Sequence, residues 1–471
     1  MKKIRFWFAG CLLAVPLVLA VWGFLLPAQY RETFPGELAV KCELLAQDAE
    51  KPRLVLVGGS AAAFGVDSAL LEEQLPQYKV VNFGLYAALG TRVMLDLSEP
   101  LLREGDLVVV LPEQQQQTLS DHLGAQTLWQ ATDGEFSLLR CLHFRDAAAM
   151  LGTFPQFAAQ KFRFFCTGGP SLSGVYQRSS FNAAGDIVSP LCTANRMPGG
   201  WDPTTPIRFD TALLDKTFCA ELNAYAARLA ERGVTVWYHF PPMKAAAVEP
   251  GQDVDAYAAA LQDALTLSLA GDPHTCILAS GWFYDTNFHL NASGKTVFTR
   301  QLVRDLKAML RDSSPTGIPL PEMPQGEETA AEPSGTANAD AGCFVFERTE
   351  VGLCLTGLTP EGKTKSTLTV PSQIDGQAVT ALSAGVFDGS GARSITLPGS
   401  VTALPDGLFA GCTGLRTVVL EQPDPACLAV GQELLRGAPV DCRLQVPADS
   451  YDAYCLSYSW SGYAPVLRRG G

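Results

Sequence analysis

Ser60 and His289 are the residues of this sequence whose types and settings predict nucleophilic chemistry. Ser60 follows the apolar run at residues 54–57 through two glycines and stands just before a helix-like stretch. A serine attacks a carbonyl only after a base has taken its proton, and an acid usually orients a histidine that acts as this base. His289 lies four positions after Asp285 and precedes a helical apolar stripe. We therefore predict acyl transfer by Ser60 with His289 as the base, and Asp285 or its neighbour as the orienting acid.

Short apolar runs alternate with helical patterns upstream of residue 310. This alternation predicts an α/β protein with a parallel sheet that is covered on both faces, and its ligand chemistry should lie at the carboxyl ends of the strands. Ser60, Asn82 and Glu113 each come just past such an end, and His239 ends another strand. Asn82, Glu113 and His239 are therefore candidate pocket residues. The alternatives are a helix cap for Ser60, a turn brace for Asn82, a solvated acid for Glu113 and a structural role for His239.

The first 28 residues predict a transmembrane signal anchor. Lys2, Lys3 and Arg5 precede an apolar run from Phe6 to about Pro27, which is long enough to span a bilayer. No convincing small-x-small cleavage motif follows, and this favours an uncleaved anchor over a cleaved secretion signal. By the positive-inside rule, we expect a single-pass protein of the cell membrane whose bulk is extracytoplasmic.

Charge and cysteine usage narrow the classes of ligand. The formal net charge is −13, which argues against a nucleic-acid partner because such proteins usually carry a basic face. Thirteen cysteines are present, and twelve of them lie beyond the predicted anchor, so we expect some disulfides. None has the Cys-x-x-Cys spacing of a zinc or redox site. We predict no metal and no cofactor.

A change of composition divides the chain after residue 310. Residues 311–341 are rich in Pro, Ser, Gly and acidic side chains, and such a segment has too few large apolar residues to offset its ordering entropy. We therefore predict a disordered linker between a domain at residues 29–310 and a second domain at residues 342–471.

The second predicted domain repeats itself. Residues 379–387 are echoed by residues 401–409 at an offset of 22, a period typical of leucine-rich solenoids. These units resemble the BspA-type leucine-rich repeats of bacterial surface proteins, over roughly residues 343 to 468. The resemblance implies a small leucine-rich-repeat β solenoid that serves as an extracellular recognition or spacing module. A few generic β-hairpins are the alternative.

Residues from about 50 to 310 resemble the SGNH hydrolase superfamily, in particular its membrane-anchored branch related to alginate O-acetylation and D-alanyl transfer proteins. Gly58-Gly59-Ser60 resembles the first block, with Gly59 in place of an aspartate. The segment 80–84 resembles the second block, and Asp285 with His289 the last. Glu113 stands in the region where the superfamily's third block carries an asparagine.

The SGNH resemblance implies a flavodoxin-like three-layer fold with a parallel sheet, and an O-acyl esterase or O-acyltransferase that acts on a cell-surface or cell-wall glycan. The backbone N–H groups of Ser60 and Gly84 would bind the oxyanion, with Gly90 as the alternative to Gly84. Implied partners are a surface polysaccharide or peptidoglycan, and a membrane O-acyltransferase as the acyl donor.

Two other functions remain open from the sequence. One is a catalytically inert SGNH-fold surface binding or adhesion protein whose leucine-rich repeats mediate protein or glycan interaction. The other is an unrelated ligand-binding α/β fold in which Ser60 and His289 meet by chance.

Overall fold

The computed structural model describes residues 14–170, 172, 174–197, 200–324, 340–349, 352–431, 433–439, 442–457, 460–464 and 466–470. The chain divides into two compact units. The first comprises residues 1–194, 207–284 and 288–324, and the second comprises residues 195–206, 285–287 and 325–471. Residues 325–339 of the predicted linker lie outside the described residues.

A five-stranded parallel sheet forms the centre of the first unit. The strands of this unit are β1 Arg53–Gly58, β2 Lys79–Asn82, β3 Leu107–Leu111, β4 Thr235–His239, β5 Met243–Lys244, β6 Ser268–Ala270 and β7 Ile277–Leu278. The sheet has the order β2-β1-β3-β4-β6, and the short strands β5 and β7 pair separately. The prediction of an α/β fold with a parallel sheet is confirmed.

Apolar residues follow one another without alternation in the two central strands. Every residue of β1 and of β3 is buried, so both faces of the sheet are covered. After the N-terminal segment, the α-helices of this unit are α1 Glu37–Ala46, α2 Ser60–Gly65, α3 Ser68–Gln74, α4 Thr91–Ser98, α5 Ala125–Ala131, α6 Ala147–Thr167, α7 Lys216–Ala230, α8 Val254–Ala264 and α9 Ala292–Met309. Because the strands are parallel, the residues that follow β1, β2 and β3 meet at one edge of the sheet.

The apolar N-terminal segment packs against α6. Residues 14–20 are helical and continue into a π-helical turn at Val21–Leu25. Trp22 stacks on Phe162 with 4.1 Å between ring centroids, and Phe24 stacks on Phe154 at 4.9 Å. Among the helices in the described residues, none is both long enough and apolar enough to cross a membrane. Residues 1–13 of the predicted anchor lie outside that description.

The cysteines differ from the sequence expectation, since no disulfide joins those that the structure describes. Cys42 and Cys276 instead lie in the interior, where thiols pack as small apolar groups. Burial raises the pKa of the Cys42 thiol to about 12, which keeps it protonated and unreactive. The expectation of some disulfides was therefore wrong for the described residues.

A second set of strands, with two short helices, builds the other unit. Its elements are β8 Phe344–Thr349, β9 Gly352–Leu358, α10 Pro360–Thr364, β10 Thr367–Thr369, β11 Gln373–Ile374, β12 Gln377–Leu382, β13 Ser394–Leu397, β14 Ala403–Leu404, β15 Thr417–Leu420, β16 Ala429–Val430, β17 Arg443–Val446, α11 Tyr451–Leu456 and β18 Leu467–Arg469. Strands β10, β13, β15, β17 and β18 form one parallel sheet in that order, β11-β12-β9-β8 form another sheet, and β14 pairs with β16.

Alternate residues of these strands point into a shared core. In β13, β15 and β17, every second side chain is buried, and the buried residues include Ile395, Val418 and Leu444. Phe387 and Phe409 hold the same place in the two echoed segments, and their rings stack 5.6 Å apart. Each repeated segment thus covers the apolar residues of its neighbour.

A buried ion pair in the first unit generates a test of its stability. Arg53 and Asp106 contact each other with about 3% of either side chain exposed. Asp106 also accepts hydrogen bonds from the backbone N–H groups of Arg53 and Arg103, both at 2.9 Å. We expect Asp106→Ala to lower the free energy of unfolding by about 3–5 kcal/mol in urea titrations, because a buried guanidinium loses its partner.

The matched control for this prediction is Asp48→Ala. Asp48 pairs with Arg103 at 2.6 Å, but its side chain is 98% exposed. An exposed pair of this kind contributes little to stability, so the unfolding midpoint should not move. Equal effects of the two substitutions would contradict the prediction.

Candidate active site

Two glycines bring the chain from β1 to Ser60. A Cβ on Gly58 would lie 2.5 Å from the carbonyl oxygen of Leu111 in β3. A Cβ on Gly59 would lie 2.8 Å from Oε1 of Glu113 and 3.0 Å from the Cα of Ala87. Real Cβ atoms do not approach other atoms this closely, so the absence of side chains at both positions allows Ser60 to start α2 against the end of β3.

His289 is brought to Ser60 from the other end of the first unit. Its Nε2 lies 2.7 Å from Ser60 Oγ, and each of the two residues is only 5% exposed. Backbone pairing positions His289, since the N–H of Tyr284 donates to its carbonyl oxygen at 2.8 Å. Asn291 then caps α9 by accepting the N–H of Gly294 at 2.9 Å. The structure thus brings the predicted nucleophile and its predicted base within hydrogen-bond distance.

Aromatic side chains hold the imidazole of His289. The ring of Phe64 stacks on it, with centroids 4.1 Å apart and an interplanar angle of 5°. The hydroxyl of Tyr176 lies 3.3 Å from Nδ1. Sequence reasoning missed both residues. Phe64 lies four positions after Ser60 in the helix-like stretch, whereas Tyr176 lies in an irregular region with no motif to mark it.

Glu113 is the predicted pocket residue that reaches Ser60. Its Oε1 lies 2.9 Å from Ser60 Oγ and accepts the backbone N–H of Ala61 at 2.9 Å. Oε2 accepts a hydrogen bond from Gln115 Nε2 at 3.3 Å. Glu113 is 2% exposed, so the alternative of a solvated acid was wrong. The third strand therefore brings a carboxyl group, and not an amide, to the nucleophile.

Asn82 and Gly84 form a structural hydrogen-bond group beside this site. Asn82 is fully buried, and its Nδ2 donates to the carbonyl oxygen of Ala62 and to Asp186 Oδ1, each at 2.9 Å. Its Oδ1 accepts the N–H of Gly84 at 3.1 Å. The backbone donor predicted for an oxyanion is thus engaged by Asn82 in this structure.

A buried lysine, Lys41, hydrogen-bonds to the backbone of the segment that contains Asn82. Lys41 Nζ donates to the carbonyl oxygens of Asn82 at 2.9 Å and of Gly185 at 2.6 Å. Burial lowers the pKa of Lys41 to about 8, against the opposing pull of Glu37 and Asp186. Burial likewise raises the pKa of Glu37 to about 7. These groups join the segment around residue 185 to the carboxyl end of β2.

His239 lies at the end of β4, as predicted, but its ring nitrogens are used within the fold. Nδ1 lies 2.7 Å from the carbonyl oxygen of Phe240, and Nε2 lies 3.0 Å from Oδ2 of Asp305 in α9. The residue is fully buried. These contacts agree with a structural role for His239, which is the alternative that the sequence analysis gave.

Asp285 falls in the short segment 285–287, which belongs to the second unit. It is 9% exposed. Burial raises the pKa of the Cys427 thiol to about 12, and the negative charges of Asp424 and, to a smaller extent, Asp285 raise this pKa further. The role of Asp285 as the acid that orients His289 stays a prediction.

No group of three or more His, Cys, Asp or Glu side chains in the described part of the chain has the arrangement of a metal site. At Ser60 itself, the hydroxyl lies within hydrogen-bond distance of one imidazole and one carboxyl group. Comparison with known proteins adds no family: no protein-family model matches the chain, and no curated protein matches it.

Replacing Asn82 tests its structural role. We expect Asn82→Ala to lower the free energy of unfolding by about 3 kcal/mol, because it leaves the N–H of Gly84 and the carbonyl oxygen of Ala62 without this buried partner. The measurement is chemical denaturation. Asn223→Ala is the control, since the Asn223 amide makes backbone contacts at the surface, with residues 264 and 266. If both variants unfold at the wild-type midpoint, Asn82 does not brace this turn.

Proposed function

We propose that this protein is an extracytoplasmic SGNH-like O-acyl esterase or O-acyltransferase that acts on a cell-surface or cell-wall glycan. The observation that carries the proposal is the distance of 2.7 Å between Ser60 Oγ and His289 Nε2, in a buried setting at the carboxyl edge of a parallel sheet. The strand order β2-β1-β3-β4-β6 agrees with a flavodoxin-like three-layer fold.

The proposed reaction is a two-step acyl transfer. His289 Nε2 takes the Ser60 proton as Oγ attacks the acyl carbonyl, and the protonated imidazole then donates that proton to the departing alcohol. Asp285 would orient the imidazole. Water or a sugar hydroxyl then attacks the acyl-enzyme, and the choice between them separates hydrolysis from transfer.

The surroundings proposed for this reaction are the bacterial cell surface. The N-terminal segment would anchor the chain in the membrane, with polysaccharide or peptidoglycan as acceptor and a membrane O-acyltransferase as acyl donor. The second unit would act as a leucine-rich-repeat solenoid for surface recognition. Its stack of parallel strands and the stacked pair Phe387 and Phe409 support that assignment.

A serine-directed fluorophosphonate probe tests the proposed activity. We expect the intact protein to be labelled, Ser60→Ala to lose labelling entirely, and His289→Ala to be labelled about 10³-fold more slowly, because the base is removed. The readout is the rate of covalent labelling, with the modified residue identified by mass spectrometry.

Two substitutions in the same unit serve as controls for this experiment. Ser268→Ala removes an exposed serine on β6, and His274→Ala removes a half-exposed histidine that pairs with Asp255. Both should leave the labelling rate unchanged. Labelling that persists in Ser60→Ala would refute the assignment of the nucleophile.

The second candidate is an inert surface binding protein, and one observation favours it. A carboxyl group, Glu113 Oε1, lies 2.9 Å from Ser60 Oγ, and a negative charge next to the nucleophile disfavours the further negative charge that develops in an acyl-transfer transition state. Folded protein that no fluorophosphonate labels, either as the wild type or after Glu113→Gln, would favour this binding function, with the leucine-rich repeats as its interaction module.

A further inference from the structure

We propose that Glu113 is a positioning residue that draws the Ser60 proton away from His289 and holds the nucleophile in a resting state. This inference rests on the proposed function, because it concerns how Ser60 becomes reactive. The observation behind it is that Ser60 Oγ lies within hydrogen-bond distance of two other atoms, Glu113 Oε1 and His289 Nε2.

The hydroxyl of Ser60 has one proton to donate and two neighbours that can accept it. Glu113 Oε1 lies at 2.9 Å and His289 Nε2 at 2.7 Å. An ionised carboxylate has no proton and can only accept, whereas an imidazole nitrogen can donate or accept. The contact with an ionised Glu113 is thus a hydrogen bond only when the Ser60 proton points to Oε1.

The direction of the second hydrogen bond follows from the first. When the Ser60 proton points to Glu113, the contact with His289 is made by an N–H at Nε2 that donates to Oγ. A nitrogen that already carries a proton cannot take another from Ser60. A hydrogen bond to an ionised group is roughly twice as strong as one between neutral groups, so the negative charge of Glu113 favours this resting arrangement.

Removing the negative charge of Glu113 favours the other direction of the Ser60 hydrogen bond. The Ser60 proton then points to His289 Nε2, as attack on a carbonyl requires. Glu113 has a second effect, because its Oε1 accepts the N–H of Ala61. This N–H is a backbone donor next to the nucleophile, and the contact with Glu113 keeps it from other acceptors. Glu113 therefore opposes both the deprotonation of Ser60 and the build-up of negative charge beside it.

The rest of the site holds Glu113 in this place. Position 59 carries no side chain, and a Cβ there would lie 2.8 Å from Oε1. Gln115 Nε2 donates to Oε2 at 3.3 Å. Glu113 is 2% exposed, so water does not compete for these contacts. The hydrogen bonds of the resting state are therefore made in the packed interior of the first unit.

The rate of fluorophosphonate labelling in Glu113 variants of the full chain tests the inference. Glu113→Gln keeps the size of the side chain and removes its charge, so Ser60 should be labelled at least about tenfold faster than in the wild type. Glu113→Ala removes the same charge and should also exceed the wild type. Glu113→Asp keeps the charge and should be no faster than the wild type.

Three controls test whether a faster rate of labelling comes from the loss of charge at position 113. Glu249→Gln, at a surface pair with Arg208, should label at the wild-type rate. The double variant of Ser60→Ala with Glu113→Gln should not label, which assigns the gain to Ser60. Thermal unfolding of each variant identifies any that has lost its fold, and either Glu113→Gln or Glu113→Ala is sufficient for the comparison.

The outcomes separate this inference from the proposed function. Faster labelling of the neutral variants supports both, including the case in which the wild type is labelled too slowly to detect. Wild-type labelling that neither neutral variant exceeds overturns the role of Glu113 and leaves the enzyme proposal standing. An equal gain in Glu113→Asp assigns the effect to loosened packing and also overturns it. Folded variants that all fail to label overturn both proposals.

Discussion

The register between the first and third strands determines the surroundings of Ser60. Gly58 pairs with Leu111, so the turn that follows β1 runs directly beside the segment that follows β3. A carbonyl oxygen of β3 fills the space where a side chain at position 58 would stand, and the carboxyl group of Glu113 fills the same space at position 59. A shift of this register would separate Ser60 from Glu113.

The hydroxyl of Ser60 contacts residues from two other segments that lie far from it in the chain. The first strand brings Ser60, the third brings Glu113, and the pairing of Tyr284 with His289 brings the imidazole. Phe64 limits the tilt of the imidazole by stacking on it. Since all three polar groups are buried, they hydrogen-bond to neighbouring protein groups and not to bulk water, and the charge of one group changes the hydrogen bonds of the others.

Polar contacts around this centre serve the fold more than the chemistry. Asn82 and Lys41 bond to buried backbone groups near the end of β2, and Asp186 accepts from the Asn82 amide. His239 pairs with Asp305 at the end of β4. Parallel sheets collect polar residues at the carboxyl ends of their strands for two reasons, since loop backbone needs partners there and ligands bind there. Position at such an end is therefore weak evidence for a catalytic role.

The sequence by itself determined the α/β class and the parallel sheet, because unbroken apolar strands between helical patterns have few structural alternatives. It predicted Ser60 and His289 as partners but left a helix cap open for Ser60, because a glycine turn before a serine also occurs without catalysis. It also indicated the repeated units of the second domain, in which Phe387 and Phe409 stack at equivalent positions. Only the tertiary structure decided which polar strand ends reach the nucleophile. Asn82 ends β2 and Glu113 lies two residues beyond the end of β3. Asn82 bonds to backbone and to Asp186, whereas Glu113 contacts Ser60. The difference comes from strand register and from the missing side chain at Gly59, and both depend on distances between segments that no local pattern of residues encodes.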